Sequence, residues 1–152
     1  MPLRSAGIMA FRRTASGLEV LLVHPGGPFW ARKDAAAWSS PKGLCEPDEK
    51  VEEAARREFT EETGFPIDGP LTALGDFKQT GGKIVTAFAL ESDFDAAAVR
   101  SNSFELEWPP RSGRTATFPE VDRAGWFAPA AAREKLLKGQ LAILDALLAH
   151  LA

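Results

Sequence analysis

Three glutamates in the middle of the chain have the spacing of a metal site. Glu61 and Glu62 follow Glu58 by three and four residues, so a helix would place all three on one patch of its surface. Carboxylates this close raise one another's pKa unless a cation neutralises them. Hard cations such as Mg²⁺ bind carboxylate oxygens together with substrate phosphates. The spacing therefore indicates a metal site for a polyphosphate, and the alternative is a solvated helix face paired with Arg56 and Arg57.

The residues around these glutamates resemble the signature of a known family. Segment 43–65 reads GLCEPDEKVEEAARREFTEETGF. It is similar to the box of the Nudix hydrolases, G-x5-E-x7-R-E-U-x-E-E-x-G-U, where U is a bulky apolar residue. Segments 21–30, 37–43, 76–79 and 118–127 are similar to a bacterial Nudix subgroup described as predicted nucleoside-triphosphate pyrophosphohydrolases. Every fixed position of the box is filled, by Gly43, Glu49, Arg57, Glu58, Phe59, Glu61, Glu62, Gly64 and Phe65.

This resemblance implies metal-dependent hydrolysis of a phosphoanhydride bond in a nucleoside diphosphate derivative. A nucleoside triphosphate or a dinucleoside polyphosphate is the favoured substrate, and the implied cofactor is Mg²⁺ or Mn²⁺. Glu58, Glu61 and Glu62 are expected to bind the metal. An arginine can bind a carboxylate through two parallel hydrogen bonds, and such a pair would hold the box loop to the helix. The box residues expected to be structural are Gly43, Glu49, Arg57 and Gly64.

The attacking water must lose a proton to a base. Family members place this base either in the box or in a distant loop. Glu58 and Glu61 are the candidates in the box. Glu120, in the sequence Phe118-Pro119-Glu120-Val121, is the distant candidate, and an exposed loop acid is its alternative interpretation.

Basic and aromatic side chains near turns are candidates for substrate binding. Lys42 is adjacent to the box, whereas Lys78 and Lys83 flank one predicted turn. Arg111 and Arg114 lie in a loop rich in Gly and Pro. The predicted phosphate contacts are Lys42, Lys78, Arg111 and Arg114. Solvated surface is the alternative interpretation for each of them and is favoured for all but Lys42. Candidate stacking partners for a nucleobase, or else core residues, are Phe29, Trp30 and Trp108.

A function without catalysis is the alternative to an enzyme. A Nudix domain without turnover would act as a nucleotide-sensing or partner-binding module. Such binders often lose glutamates of the box, whereas this sequence keeps all of them. The intact box favours the enzyme.

The pattern of apolar residues predicts the elements that position the box. Strands are expected at 5–13, 18–24, 71–79, 84–91, 104–108 and 125–127, with a turn at Pro41-Lys42-Gly43. One helix is expected between Asp48, as its cap, and Gly64, and a second from Pro129 to the C-terminus. This order indicates an α+β protein. The resemblance refines it to a Nudix-like α/β/α sandwich, a mixed sheet between the box helix and a C-terminal helix.

Length and composition restrict the remaining possibilities. The 152 residues, 45% hydrophobic and 26% charged, predict a single domain over 1–152. The net charge of −3 argues against a duplex-binding protein. No apolar run approaches the ~18 residues of a membrane span, and the N-terminus lacks a signal-peptide pattern. We therefore expect a cytoplasmic protein without membrane or duplex nucleic-acid partners, and, since many relatives dimerise, a homodimer is possible.

Overall fold

The fold is a mixed sheet with helices on both faces. A computed structural model describes residues 3–152, so Met1 and Pro2 of the predicted domain lie outside the described residues. The strands are β1 (Arg4–Thr14), β2 (Gly17–Pro25), β3 (Lys42–Leu44), β4 (Thr72–Lys78), β5 (Ile84–Glu91), β6 (Ser103–Glu107), β7 (Thr115–Pro119) and β8 (Val121–Phe127). The helices are α1 (Val51–Thr63), α2 (Pro129–Lys135) and α3 (Leu141–Leu151), with short 3-10 turns at Thr80–Gly82, Ala96–Ala98 and Lys138–Gln140.

Strand β1 lies at the centre of the sheet. The strand order is β4-β5-β1-β2-β8, and β3 pairs with the first residues of β1. The β1–β5 pair is parallel and the other pairs are antiparallel, which is the predicted mixed sheet. Because a parallel pair needs cover on both faces, β1 is buried almost throughout, from Ser5 to Phe11.

Alternate residues of β1 belong to two separate cores. Ile8 and Ala10 pack with Phe59 of α1, whereas Met9 and Phe11 pack with the α3 side chains. This follows from the two-residue period of a strand. The result is the predicted α/β/α sandwich, with α1 on one face and α2 and α3 on the other.

The box helix ends as predicted but begins differently. Gly64 takes a left-handed conformation at the C-cap, with φ of 76°, which favours glycine. The N-cap is Lys50, without a side-chain cap, so the prediction that Asp48 caps the helix is wrong. Asp48 instead has a positive φ of 66° within the loop that enters the helix.

The predicted C-terminal helix is interrupted. Gly139, predicted inside the helix, lies in the 3-10 turn between α2 and α3, where its carbonyl accepts a 2.9 Å hydrogen bond from the Gln79 amide. The backbone N–H of Leu137 donates to the carbonyl of Trp38 at 2.8 Å. The helix is interrupted where the chain makes these tertiary contacts. Leu137 therefore lies between α2 and α3 and not on one continuous apolar face of a single helix.

The segment before the box is a strand rather than the predicted turn. Lys42–Leu44 pairs antiparallel with β1, and Ala6 lies opposite Gly43. The sequence also misses β7, which among the strands of residues 3–152 pairs only with β6, in a two-stranded hairpin outside the main sheet. Within residues 3–152, none of the helices is both long and apolar enough to cross a membrane.

Candidate active site

Glycine at position 43 leaves room for a carboxylate of the box helix. The register of β3 on β1 places Gly43 opposite Ala6, a core residue of the α1 face. A Cβ atom at position 43 would lie 2.0 Å from Cδ of Glu58. Glycine therefore lets the Glu58 carboxylate rest on the strand backbone, and a larger residue would require the flexible end of the Glu58 side chain to turn away.

Arg57 ties the box loop to the helix. Its Nε and Nη2 donate to the two carboxylate oxygens of Glu49 at 2.8 and 2.9 Å, and Nη2 also donates to the carbonyl of Leu44 at 3.0 Å. The hydrogen bonds from Arg57 lower the pKa of Glu49 to about 2. This is the bidentate pair expected from the box.

Arg57 also contacts two of the expected metal ligands. Its Nη1 donates to Glu58 at 2.8 Å and to Glu61 at 3.2 Å. Within residues 3–152, no group of three His, Cys, Asp or Glu side chains already surrounds a common point as a metal would require. In this structure Arg57 is instead the cation that contacts two of the three expected ligands.

Glu62 faces the strand that precedes the box. One of its carboxylate oxygens accepts a 3.2 Å hydrogen bond from the backbone N–H of Lys42. Burial raises its pKa to about 8 despite this bond. Burial also raises the pKa of Glu58. Both carboxylates therefore lie where charge is poorly solvated, and a cation would stabilise their ionised forms.

The structure brings Glu120 to the C-terminal end of α1. The backbone N–H of Asn102 donates to the carbonyl of Glu61, and the carbonyl of Asn102 accepts from the N–H of Glu120, both at 2.8 Å. Next to these two hydrogen bonds, the Ser101 hydroxyl accepts a hydrogen bond from the backbone N–H of Val121 and donates one to its carbonyl. One backbone segment therefore holds the start of β8 against the box helix.

The Gly-Gly loop after β2 supports Glu120 from the other side. The N–H of Gly26 donates to the carbonyl of Glu120 at 2.9 Å. A Cβ atom at Gly26 would lie 2.0 Å from the carbonyl oxygen of Pro119. Only glycine permits this approach, which fixes the backbone of Glu120 between two loops.

Glu62 and Glu120 line one cavity of about 190 Å³. We call it the carboxylate cavity. It lies between the start of β3, the end of β2 and the start of β8, and Lys42 also lines it. Its other lining residues are Val23, Pro25, Trp30, Ala37, Ser39, Val121 and Leu137.

The donor set at this cavity fits a hard divalent cation. Burial raises the pKa of Glu120, and the charge of Glu61 raises it further. Glu58 and Glu120 in turn each raise the pKa of Glu62. Glu58 and Glu61 thus lie outside the cavity lining but close enough to these two carboxylates for their charges to act on them. All four offer the oxygen ligands that Mg²⁺ and Mn²⁺ take.

The predicted phosphate contacts are not all brought to this site. Lys42 lines the carboxylate cavity, whereas Lys78 is exposed on β4. Arg111 and Arg114 lie in the loop beyond the far end of the β6–β7 hairpin, past the Glu107–Thr115 pair. Since Glu120 follows the near end of β7, a strand rise of ~3.4 Å per residue carries both arginines away from it.

An aromatic cavity of about 390 Å³ adjoins the carboxylates. It lies between the loop after β2 and the β6–β7 hairpin. Phe29 and Trp30, two of the predicted stacking residues, line this cavity. The third, Trp108, packs edge-to-face against Phe29, with the two ring centroids 5.5 Å apart. The sequence missed Phe104, because its place in the cavity depends on the hairpin. The remaining lining residues are Pro25, Gly26, Gly27, Glu62, Leu106 and Glu120.

Comparison with known proteins decides the family. The family model of the NUDIX domain matches residues 1–147. The chain belongs to the Nudix hydrolase family. The match confirms the predicted family and, with it, the predicted class of enzyme, a Nudix pyrophosphohydrolase. A search of curated proteins found no match to this Nudix chain.

Solved structures share the fold over nearly the whole chain. The NUDIX domain of Shewanella oneidensis NrtR, complexed with ADP ribose, is 17% identical, with a TM-score of 0.69, covering 100% of this chain and 90% of that one. A C. elegans Ap4A hydrolase in a binary complex is 22% identical, with a TM-score of 0.66, covering 98% and 97%. The C-terminal domain of mouse MUTYH, complexed with human PCNA, is 17% identical, with a TM-score of 0.64, covering 99% and 90%. These similarities confirm the predicted Nudix fold.

Proposed function

We propose that this Nudix protein hydrolyses a phosphoanhydride bond in a nucleoside diphosphate derivative and depends on a divalent metal. One observation carries the proposal: the carboxylates of Glu62, on α1, and Glu120, just before β8, line one cavity together with Lys42, and that cavity adjoins an aromatic one. A metal ion neutralises such a cluster, and an aromatic cavity suits a nucleobase.

The box glutamates are the proposed ligands of the metal. Glu58, Glu61 and Glu62 would hold Mg²⁺ or Mn²⁺, which when bound neutralises phosphate oxygens and lowers the pKa of a bound water. Arg57 holds two of these carboxylates in place by donating hydrogen bonds to Glu58 and Glu61. Lys42, beside Glu62, supplies a positive charge for the phosphates.

Glu120 is the proposed general base. A base works best when its pKa lies near the working pH, and burial together with the charge of Glu61 raises the pKa of Glu120. Glu58 and Glu61 instead each have one carboxylate oxygen occupied by a hydrogen bond from Arg57. The contacts of Asn102 and Gly26 keep the Glu120 backbone in position.

The site supports a nucleoside triphosphate or a dinucleoside polyphosphate as substrate. The aromatic cavity and the carboxylate cavity share Pro25, Trp30, Glu62 and Glu120. A nucleoside in the former would place its phosphates at the latter. ADP ribose, in complex with one structural neighbour, and Ap4A, for which another neighbour is named as a hydrolase, both contain a nucleoside joined to phosphoanhydrides.

Turnover by single-site variants tests this function. We expect Mg²⁺-dependent release of phosphorylated products from a panel of ATP, diadenosine tetraphosphate and ADP ribose, identified by mass. Glu61→Gln and Glu62→Gln should each lower kcat/KM by about 10²-fold or more, because each removes a charged metal ligand.

Glu53→Gln is the matched control, because Glu53 is an exposed glutamate of the same helix. It should keep wild-type turnover and thermal stability. Wild-type activity in both Glu61→Gln and Glu62→Gln would overturn the site assignment. Tight nucleotide binding without product release would favour the sensing or partner-binding module instead.

A further inference from the structure

A third cavity lies on the other side of Lys42 and is lined mainly by polar groups. We call it the lysine cavity. It measures about 350 Å³, and its polar side chains come from Ser5, Lys42, Gln79, Thr80 and Lys83. None of its lining residues, all within residues 3–152, is acidic. A cavity with two lysines and hydroxyl donors suits an anion.

The turn between β4 and β5 fixes Lys83 in this cavity. The N–H of Gln79 donates to the carbonyl of Lys83 at 2.7 Å and closes the turn. Gly81 and Gly82 both take positive φ angles, of 82° and 81°, which glycine adopts without strain. The Gln79 side chain is anchored to the carbonyl of Gly139 at 2.9 Å.

The register of the sheet excludes Lys78 from the same cavity. Val85, which lines the cavity, pairs with Phe77, whereas Lys78 pairs with Ile84. Paired residues share a face and successive residues alternate between faces. Lys78 therefore projects from the face covered by α1, opposite Val85. The sequence predicts a phosphate contact for Lys78 and names Lys83 only as a candidate, because which of the two lysines lines the cavity depends on a one-residue register.

Lys42 connects the lysine cavity to the carboxylates. It lines both the lysine cavity and the carboxylate cavity, where Glu62 and Glu120 lie. The three cavities thus form a series: aromatic, carboxylate and lysine. A nucleotide with its base in the aromatic cavity and its reacting bond at the carboxylate cavity would extend any further phosphates into the lysine cavity.

We propose that the lysine cavity is a subsite for the phosphates beyond the cleaved bond, and that Lys83 makes the enzyme prefer long polyphosphate chains. This inference rests on the proposed function for its orientation. It adds a phosphate subsite and a specificity residue outside the Nudix box, which would account for a preference for nucleotides with three or more phosphates.

Kinetics with substrates of different phosphate number test the subsite. Lys83→Ala should raise KM for diadenosine tetraphosphate about fivefold or more, because it removes a charge-assisted contact. The kcat for that substrate and the KM for ADP ribose, which has only two phosphates, should stay within about twofold. Lys83→Arg keeps the charge and should restore most of the affinity. Lys78→Ala is the matched comparison, and its KM values should stay within about twofold of wild type.

Binding of inorganic tripolyphosphate separates this inference from the proposed function. Calorimetry in Mg²⁺ should give a Kd about fivefold or more weaker for Lys83→Ala than for wild type and Lys78→Ala. If the wild type cleaves no substrate, the proposed function fails and this binding result still decides the subsite. Equal Kd values for the three proteins, or a KM effect in Lys78→Ala but not in Lys83→Ala, would overturn the inference.

Discussion

Arg57 explains why the box keeps a glutamate eight residues before an arginine. One guanidinium contacts Glu49 in the loop, Leu44 at the end of β3, and Glu58 and Glu61 on the helix. A planar donor group with five N–H bonds can satisfy several acceptors at once, which a lysine cannot do with fixed geometry. The residue therefore serves the fold and the site together.

The Glu49–Arg57 pair predicts a dependence of stability on pH. Arg57 lowers the pKa of Glu49 from 4.5 to about 2 in the folded protein. A lowered pKa stabilises the fold at pH values above about 4.5, and this contribution disappears as the pH falls toward 2. Glu49→Gln should therefore unfold at a lower temperature than wild type at pH 7, and the gap should narrow steadily toward pH 3.

Thermal unfolding in EDTA at several pH values measures this gap. Glu53→Gln, which removes an exposed glutamate of α1, should match wild type at each pH. A gap for Glu49→Gln that is equally wide at pH 7 and pH 3 would mean that Glu49 acts by shape and not by charge.

Residues in the box were easier to predict than residues outside it. The positions of Glu58, Glu61 and Arg57 on one helix follow from local spacing alone. Phe104 was missed because its place depends on a hairpin that meets a distant loop. Lys83 was named beside Lys78 but not selected as a phosphate contact, because its place depends on a strand register. Contacts between elements distant in sequence leave no local pattern.

At the scale of elements, apolar periodicity predicted the long strands and the box helix. It failed where tertiary contacts override local preference. Pro41-Lys42-Gly43 has turn composition, yet Lys42–Leu44 pairs with β1. The apolar stripe of the C-terminal segment suggests one helix, yet the chain breaks at Gly139 to contact Gln79. Both segments border the lysine cavity. The two elements that were predicted wrongly therefore contain residues that line this cavity.

The close packing of α1 on β3 predicts a specific effect at Gly43. Gly43→Ala would place a Cβ atom 2.0 Å from Cδ of Glu58, so the carboxylate must move. We expect kcat/KM to fall about tenfold or more, since a metal ligand displaced by about 1 Å costs much of its contribution. The free energy of unfolding should fall less, by about 1 kcal/mol, because the clashing atoms are the flexible end of the Glu58 side chain, which can turn away at the cost of a poorer rotamer.

A double-mutant cycle with Glu58→Ala isolates this contact. Removing the carboxylate removes the clash, so Gly43→Ala should cost little stability in the Glu58→Ala background. Urea unfolding of the four proteins gives the coupling energy. Additive costs would show that Gly43 is needed for its backbone and not for the space it leaves to Glu58.

At the scale of the whole molecule, the sheet and the hairpin have separate tasks. The sandwich of α1, the main sheet and α3 holds the carboxylates, since Glu58 and Glu62 rest against β3. The β6–β7 hairpin pairs with no strand of the main sheet and instead supplies Phe104 and Leu106 to the aromatic cavity. An appended hairpin can vary in sequence without disturbing the core. We therefore expect the hairpin, and not the core, to select the substrate.

Phe29 tests whether the aromatic cavity binds the nucleobase. Its side chain is 59% exposed and lines the cavity, so its removal should leave the fold intact. Stacking of a base on an aromatic ring contributes about 1–3 kcal/mol, so Phe29→Ala should raise KM for ATP about fivefold or more with kcat nearly unchanged. Phe29→Trp should keep the low KM, and Leu3→Ala, a comparably exposed apolar residue, should match wild type. Unchanged KM in Phe29→Ala would place the base elsewhere, and the order of the three cavities along the substrate would have to be reversed or abandoned.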